Sequence, residues 1–511
     1  MKIAPFMAKI SPKVSESLSE YLILPRKVKC PPEKVSIKAN LGEICLQYPF
    51  MTARMQSVVG PEMAVSAGKN GILTVVPRSL RNEDKQAILD ANKKARLSKG
   101  DIEFQENPEF ANQKDTLEEV INKVERVGHS VIPVMDRFSK LYGFYIHNPN
   151  NLPAAPPYTP ISKVMIPFGK DKRGVLYTMN EDKKTIRSIL AKEEKKFIPV
   201  VDKNMILQKL AFLQKFNTNY IGIAVTTRRG FEEEIEKFGP QVDTLMIDSS
   251  NAWFEDAKKI LKYAKKKFPE KPFGIGNIVT REAFEMFARE GADYIIAGMG
   301  VGSICQTGSQ RGNGRGQMTV ARELEKARNN YHKRKGRYVP LVLDGGIRDV
   351  KDMTIALAFG DFVMMGNYFN CFYEAAGQKL NADKKPTYNE SLIKYVESWG
   401  EGHPRARLVA MYGMNSKQVV SQGNPKDISG LNERYGHSSI SSATVEGVFG
   451  PVEYKGRLKP CVENDARYIR TTISNSEAHD LSSFREKAVI EKASARTILD
   501  MLPHDVEATK G

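Results

Sequence analysis

Residues 298–317 read GMGVGSICQTGSQRGNGRGQ, the densest chemical signal in the chain. Gly298, Gly300 and Gly302 alternate, Ser303 follows, and Cys305 and Thr307 come next at two-residue steps before a loop rich in Gly and Arg. An accessible thiolate attacks electrophilic carbon better than any neutral side chain, so Cys305 is a candidate nucleophile. The competing reading is an inert cysteine on a Gly-rich turn, which the flanking glycines and Thr307 disfavour. A Gly-Ser pair at a strand end can also turn backbone N–H groups toward a phosphate.

Such a loop needs a frame, and the surrounding sequence supplies one. Apolar runs ending in Gly, Ser, Asp or Asn begin at Cys45, Gly71, Ile221, Thr244, Phe273, Tyr294, Val339 and Phe362. Runs of this kind suit strands buried on both faces of a parallel sheet. Helical patterns lie between them, clearest at 231–238 (FEEEIEKF), 253–268 and 281–290, with an apolar one at 353–359. Eight strands alternating with helices predict an α/β fold of the (β/α)8 TIM-barrel type rather than a doubly wound sheet. The cysteine loop follows the sixth strand and so belongs on the C-terminal face, where active sites of this fold collect.

The alternation breaks between about residues 109 and 214, where one phrase occurs twice. Residues 129–144 (HSVIPVMDRFSKLYGF) and 196–212 (KFIPVVDKNMILQKLAF) match, and each follows a charged helical stretch, 116–127 and 185–195. A duplicated helix–strand–turn–strand module, joined by the Pro-rich stretch 148–160, is therefore inserted after the second barrel strand. The expected domains are 1–108 (first part of the barrel), 109–216 (the paired module) and 217–511 (the rest of the barrel).

Composition narrows the setting. The 511 residues are 41% hydrophobic, enough for a large core. No apolar run is long enough to cross a membrane, and the first 30 residues lack a signal-peptide core. Five cysteines without a CxxC or metal-ligand spacing suit a reducing, cytoplasmic setting. The net charge of +17 is compatible with an anionic ligand. Its basic residues are dispersed, as in 257–268 (AKKILKYAKKKF), so nucleic acid is a poor expectation.

The motif set, taken in order, resembles the IMP dehydrogenase / GMP reductase superfamily. GSICQT followed by a Gly-rich loop and RGQ is similar to its catalytic cysteine loop. Residues 53–57 (ARMQS) resemble its substrate-contacting segment, 247–250 (IDSS) its nicotinamide-side motif and 276–280 (GNIVT) its Gly-Asn turn. Residues 343–347 (LDGGI) and 365–369 (MGNYF) resemble its phosphate loops. Residues 412–416 (YGMNS) resemble the loop over the purine, and 445–448 (VEGV) with 454–456 (YKG) the stretch after its flap. The inserted repeat stands where the superfamily carries a tandem CBS (Bateman) module.

The resemblance implies a set of roles. Met55, Ser303, Gly346, Gly366, Asn367, Tyr412, Gly413, Met414 and Glu446 would bind the nucleotide, and Asp344 would accept from both ribose hydroxyls. Asp248, Ser249, Ser250, Asn277 and Trp253 would face NAD. Cys305 would attack purine C2, with Thr307 beside it. Residues 432–437 (NERYGH) fall where a hydrolytic flap is expected and make Arg434 and Tyr435 the water-activating pair. Carbonyls of Gly300, Gly302 and Cys305 would hold a potassium ion, although the usual C-terminal Glu-Gly-Gly is replaced by Asp500-Met501-Leu502.

IMP and NAD are thus the expected substrates of an IMP dehydrogenase. The expected assembly is a homotetramer able to pair into an octamer; the module is open to purine nucleotides or is purely structural, since its phrases lack the T/S-x-x-D ending that grips a ribose. Two alternatives stand beside it. A GMP reductase is favoured by Tyr412 directly preceding Gly413, and disfavoured by Lys417, where reductases carry an acid. A catalytically dead nucleotide- or nucleic-acid-binding barrel is disfavoured by the Cys305/Thr307 loop.

Overall fold

The computed structural model describes residues 11, 14–106, 108–127, 131–138, 140–147, 153–167, 177–193, 195–227, 229–303, 307–413 and 447–501, with the backbone alone at 125–127 and 307. Eight parallel strands form one sheet: β1 (Phe50–Thr52), β2 (Thr74–Val76), β3 (Ile221–Val225), β4 (Thr244–Asp248), β5 (Phe273–Ile278), β6 (Tyr294–Ala297), β7 (Leu341–Asp344) and β8 (Phe362–Met365). Their order is β1-β8-β7-β6-β5-β4-β3-β2. A parallel bridge between Met51 and Leu73, with Thr52 N–H donating to the Leu73 carbonyl at 3.0 Å, closes the ring. The fold is a (β/α)8 barrel, and each strand falls within one of the eight apolar runs.

Strand periodicity decides what faces the barrel axis. In β4, Met246 joins the interior cluster with Val75, Ala224, Tyr294, Val342 and Met364, while Leu245 and Ile247 pack against the helices. The same alternation in β7 turns Val342 inward and Leu341 and Leu343 outward. Continued by two residues, it delivers Asp248 and Asp344 to the inner rim at the C-terminal ends of their strands. A short hairpin, Ala39–Leu41 with Ile44–Leu46, sends Leu41, Ile44 and Leu46 into the same cluster and plugs the opposite end. Tyr294 fills the interior where Gly274 leaves room, since a Cβ there would collide with the ring.

The helical patterns are realised as Phe231–Phe238, Glu255–Lys267, Arg281–Arg289 and Val350–Leu357. Trp253 precedes its helix instead of starting it. The chain leaves the barrel after helix Asn82–Ala95 and returns before β3. Gly100 N–H donates to the Gln214 carbonyl and Gln214 N–H to the Asp101 carbonyl, both at 2.8 Å, so the outgoing and returning strands are tied together. Because that helix runs back along the barrel, this exit lies at the end opposite the rim just described.

Between these ties the repeated phrase builds two matching hairpins, Val131–Met135 with Leu141–Ile146 and Phe197–Val201 with Leu207–Leu213. Asp136 and Asp202 close their turns alike: the Oδ1 of each accepts the backbone N–H groups two and four residues on. The hairpins pack on each other through Met135, Leu141, Phe144, Val201 and Leu210. Strand Ile102–Glu106 completes the second sheet by pairing with Leu207–Leu213.

Candidate active site

The C-terminal rim carries a connected polar cluster drawn from five strand ends. Arg54, just after β1 and only 8% exposed, donates from Nε to Asp248 Oδ1 at 2.8 Å. Its Nη2 lies 2.6 Å from Asn277 Oδ1 and 3.2 Å from Asp344 Oδ2. Asn277 donates in turn from Nδ2 to Asp344 Oδ2 at 2.9 Å and to the Gly298 carbonyl at 2.8 Å. Arg78, after β2, brings Nε to 3.6 Å from Asp248 Oδ2. Burial works against the charge on Arg54, but Asp248 and Asp344 outweigh it and hold its pKa above the ordinary arginine value.

Around this cluster the Gly-rich loops pack closely. Gly298 has φ +143°, and a Cβ there would run into the Asp344 carbonyl, so the cysteine loop leaves β6 tight against the end of β7. Gly345 and Gly346 are left-handed, at φ +89° and +71°, and their open sides face Val301. Gly366 lies against Met55, whose Sδ would be 2.7 Å from an added Cβ, and Ala53 N–H donates to the Met365 carbonyl at 2.9 Å. The Asp344–Gly346 turn, the Gly298–Ser303 stretch and the Met55/Gly366 contact therefore share one mouth. Ser303 is exposed on it, and Asn367 opens the short helix Asn367–Asn370.

Ser249, Ser250 and Trp253 form the rim after β4. Ser249 N–H donates to the Gly276 carbonyl at 3.0 Å and Asn277 N–H to the Ser249 carbonyl at 2.8 Å, so this rim is tied to β5. Trp253 is 46% exposed, which leaves a ring face open instead of packed in the core.

Tyr412 ends helix Pro404–Tyr412, and Gly413, at φ +85°, sits against the Arg81 guanidinium. That helix is fixed by Gln56, whose Nε2 donates to the Ser79 and Ala406 carbonyls at 3.0 and 3.1 Å. Arg405 reinforces it, pairing with Glu397 at 2.5 Å and lying over the Trp399 and Phe449 rings. His403 caps the helix by accepting the Arg405 N–H on Nδ1 at 3.1 Å. Burial, then the Arg405 and Arg407 charges, hold its pKa below the ordinary histidine value.

Cys305, Met414, Arg434, Tyr435 and Glu446 lie outside the described residues, as does the side chain of Thr307. Thr307 begins helix Thr307–Arg311. Of the proposed cation ligands, Gly300 and Gly302 are described. Gly300 is left-handed at φ +77°, and a Cβ on Gly308 would come within 2.8 Å of its carbonyl oxygen. The glycines thus leave space beside a backbone oxygen, the hard donor an alkali cation takes. Among the described residues no group of three or more His, Cys, Asp or Glu could hold a metal.

Sequence reasoning missed Arg54 and Arg78. The available signal was an arginine closing each of two otherwise apolar strand runs. A cavity lined by Glu62, Lys69, Glu374 and Arg457 opens among the outer helices, but three of these four are engaged: Lys69 with Glu103, Glu374 with the Leu458 N–H, Arg457 with Glu390. The rim, where carboxylates, amides and left-handed glycines converge, is the better candidate site.

A family model described as the IMP dehydrogenase / GMP reductase domain matches residues 16–504. A protein named inosine-5'-monophosphate dehydrogenase from Tritrichomonas foetus is 30% identical over 98% of both chains. One of the same name from Nitrosopumilus maritimus is 27% identical over 91% of this chain and 92% of its own. Among solved structures, a GMP reductase variant from Trypanosoma brucei in complex with guanosine 5'-monophosphate superposes with a TM-score of 0.64. It is 21% identical and covers 97% of this chain and 99% of its own, a likeness of fold.

Proposed function

The chain belongs to the IMP dehydrogenase / GMP reductase family, and from that membership we propose that it is an NAD-dependent oxidoreductase converting inosine 5′-monophosphate (IMP) to xanthosine 5′-monophosphate (XMP). The observation that carries this reading is the match, along nearly the whole chain, to relatives named as IMP dehydrogenases.

The chemistry divides among the residues of the mouth. The Cys305 thiolate adds to C2 of the purine, and loss of the C2 hydrogen as hydride leaves a covalent thioimidate. NAD, when bound, supplies the hydride acceptor. Water then adds to C2, the C–S bond breaks, and XMP leaves with the thiol restored. Arg434 and Tyr435 activate that water. An arginine acts as a base only if the site favours its neutral form or the proton moves in concert with bond formation.

Asp344 accepts from both ribose hydroxyls of the nucleotide. Ser303, Gly346, Gly366 and Tyr412 bind its phosphate, while Met55, Asn367, Gly413, Met414 and Glu446 complete the nucleotide site. The dinucleotide takes Asp248, Ser249, Ser250 and Asn277, with its adenine against the exposed face of Trp253. Carbonyls of Gly300, Gly302 and Cys305 would hold potassium, which when bound would supply a fixed positive charge beside the cysteine loop. The inserted unit, 109–216 together with strand Ile102–Glu106 that completes its second sheet, is a tandem CBS module open to purine nucleotides, and the chain assembles as a homotetramer.

Trapping the intermediate tests this reading. The Arg434→Ala variant, incubated with IMP and NAD and quenched, should carry the nucleotide on the peptide containing Cys305. NADH formation with that peptide always unmodified would remove the covalent route.

A further inference from the structure

The Arg54 guanidinium touches both halves of the site just proposed. It is buried at the floor of the mouth and contacts Asp248 at 2.8 Å, Asn277 at 2.6 Å and Asp344 at 3.2 Å. Asp344 belongs to the nucleotide half, and Asp248 and Asn277 belong to the dinucleotide half. We propose that Arg54 is the positioning residue of this site, one side chain that registers the nucleotide half against the dinucleotide half.

The argument rests on the function proposed above and on the shape of the group. A guanidinium is a rigid planar fork with five donors, so it fixes the angle between the partners it bridges; an ammonium fixes none. A buried arginine cannot release its carboxylates cheaply, because an unpaired charge in the interior is costly. Neither aspartate can therefore turn independently. Asp344 Oδ2 is taken by Arg54 and Asn277, while Oδ1 accepts no hydrogen bond among the described residues. That leaves one oriented oxygen for a ligand. Arg78, 3.6 Å from Asp248, reaches one half only and cannot substitute. Hydride transfer needs donor and acceptor carbons in van der Waals contact, so a small tilt between the halves weakens both sites together.

The test is steady-state kinetics of Arg54→Met and Arg54→Lys with IMP and NAD, alongside thermal melting. Loss of one charge-assisted contact on each side should raise the KM for IMP and the KM for NAD by about tenfold each. Arg54→Lys keeps the buried positive charge, should fold, and should recover at most one of the two KM values, since a single ammonium cannot span both aspartates. A purely structural arginine would lower the melting temperature without raising both KM values. If Arg54→Met does not fold, Arg54→Lys alone decides. Two KM values within about twofold of the wild type in a folded variant, or full recovery of both by lysine, would overturn the inference. A wild-type chain giving no NADH from IMP would instead overturn the proposed function.

Discussion

At the scale of single residues, a carboxylate serves a barrel mouth only when strand register turns it inward and something holds it there. Register follows from the alternation of β4 and β7, which is written in TLMID and LVLD, and that much of the site is legible in the sequence. What holds the carboxylates is not legible, because Arg54 meets Asp248 across 194 residues of chain and only barrel closure brings them together. The segment ARMQS resembles a substrate-contacting stretch, but nothing in it says that its arginine turns to two aspartates until the ring is built. The Asp344→Ala variant should raise the KM for IMP at least about tenfold by removing charge-assisted hydrogen bonds to the ribose. Steady-state kinetics with each substrate varied in turn will check this. An unchanged KM for IMP would remove Asp344 from nucleotide binding.

At the scale of elements, the eight strands were readable because each is buried on both faces and so appears as an unbroken apolar run. The packing between loops was less readable. GMG shows that glycines are present at the end of β6, but not that Gly298 must admit the Asp344 carbonyl. Gly298→Ala should destabilise the fold by roughly 1–3 kcal/mol through strain and crowding and should reduce turnover more than stability, measured by urea unfolding and by assay.

The helix bearing Tyr412 has its own sensitivity. His403 caps it through a neutral Nδ1, and its folded pKa lies below the unfolded value of about 6.5. As pH falls through that value the unfolded chain takes up the proton first, so this contribution to stability, complete at neutral pH, is lost toward the folded pKa. Between pH 7 and 5.5 the wild type should lose more melting temperature than His403→Asn, which keeps a capping oxygen and cannot titrate. Equal losses would contradict the capping role.

At the scale of the whole molecule, the lysine-rich outer helix is neutralised locally by ion pairs. Lysines of helix Glu255–Lys267 pair along the helix and with its neighbours: Lys258 with Glu255, Lys259 with Asp256, Lys262 with Glu290, Lys265 with Asp293, and Lys267 with Glu236. Pairs at a solvated surface describe an outer helix layer better than a nucleic-acid groove. The repeat in the insert was legible because two phrases match, whereas its exit at the far end of the barrel required the structure. Since Gly100 and Gln214 are hydrogen-bonded neighbours, replacing residues 101–214 with a short Gly-Ser linker should leave a folded barrel with turnover of the same order. Failure of that variant to fold would make the insert part of the barrel's support.

The central claim, dehydrogenase chemistry at this mouth, is tested most directly by following the absorbance of the reduced cofactor, with IMP plus NAD in one cuvette and GMP plus NADPH in the other. The account predicts NADH and XMP from the first and no reaction in the second. Consumption of NADPH with formation of IMP from GMP, and no XMP from IMP, would contradict it.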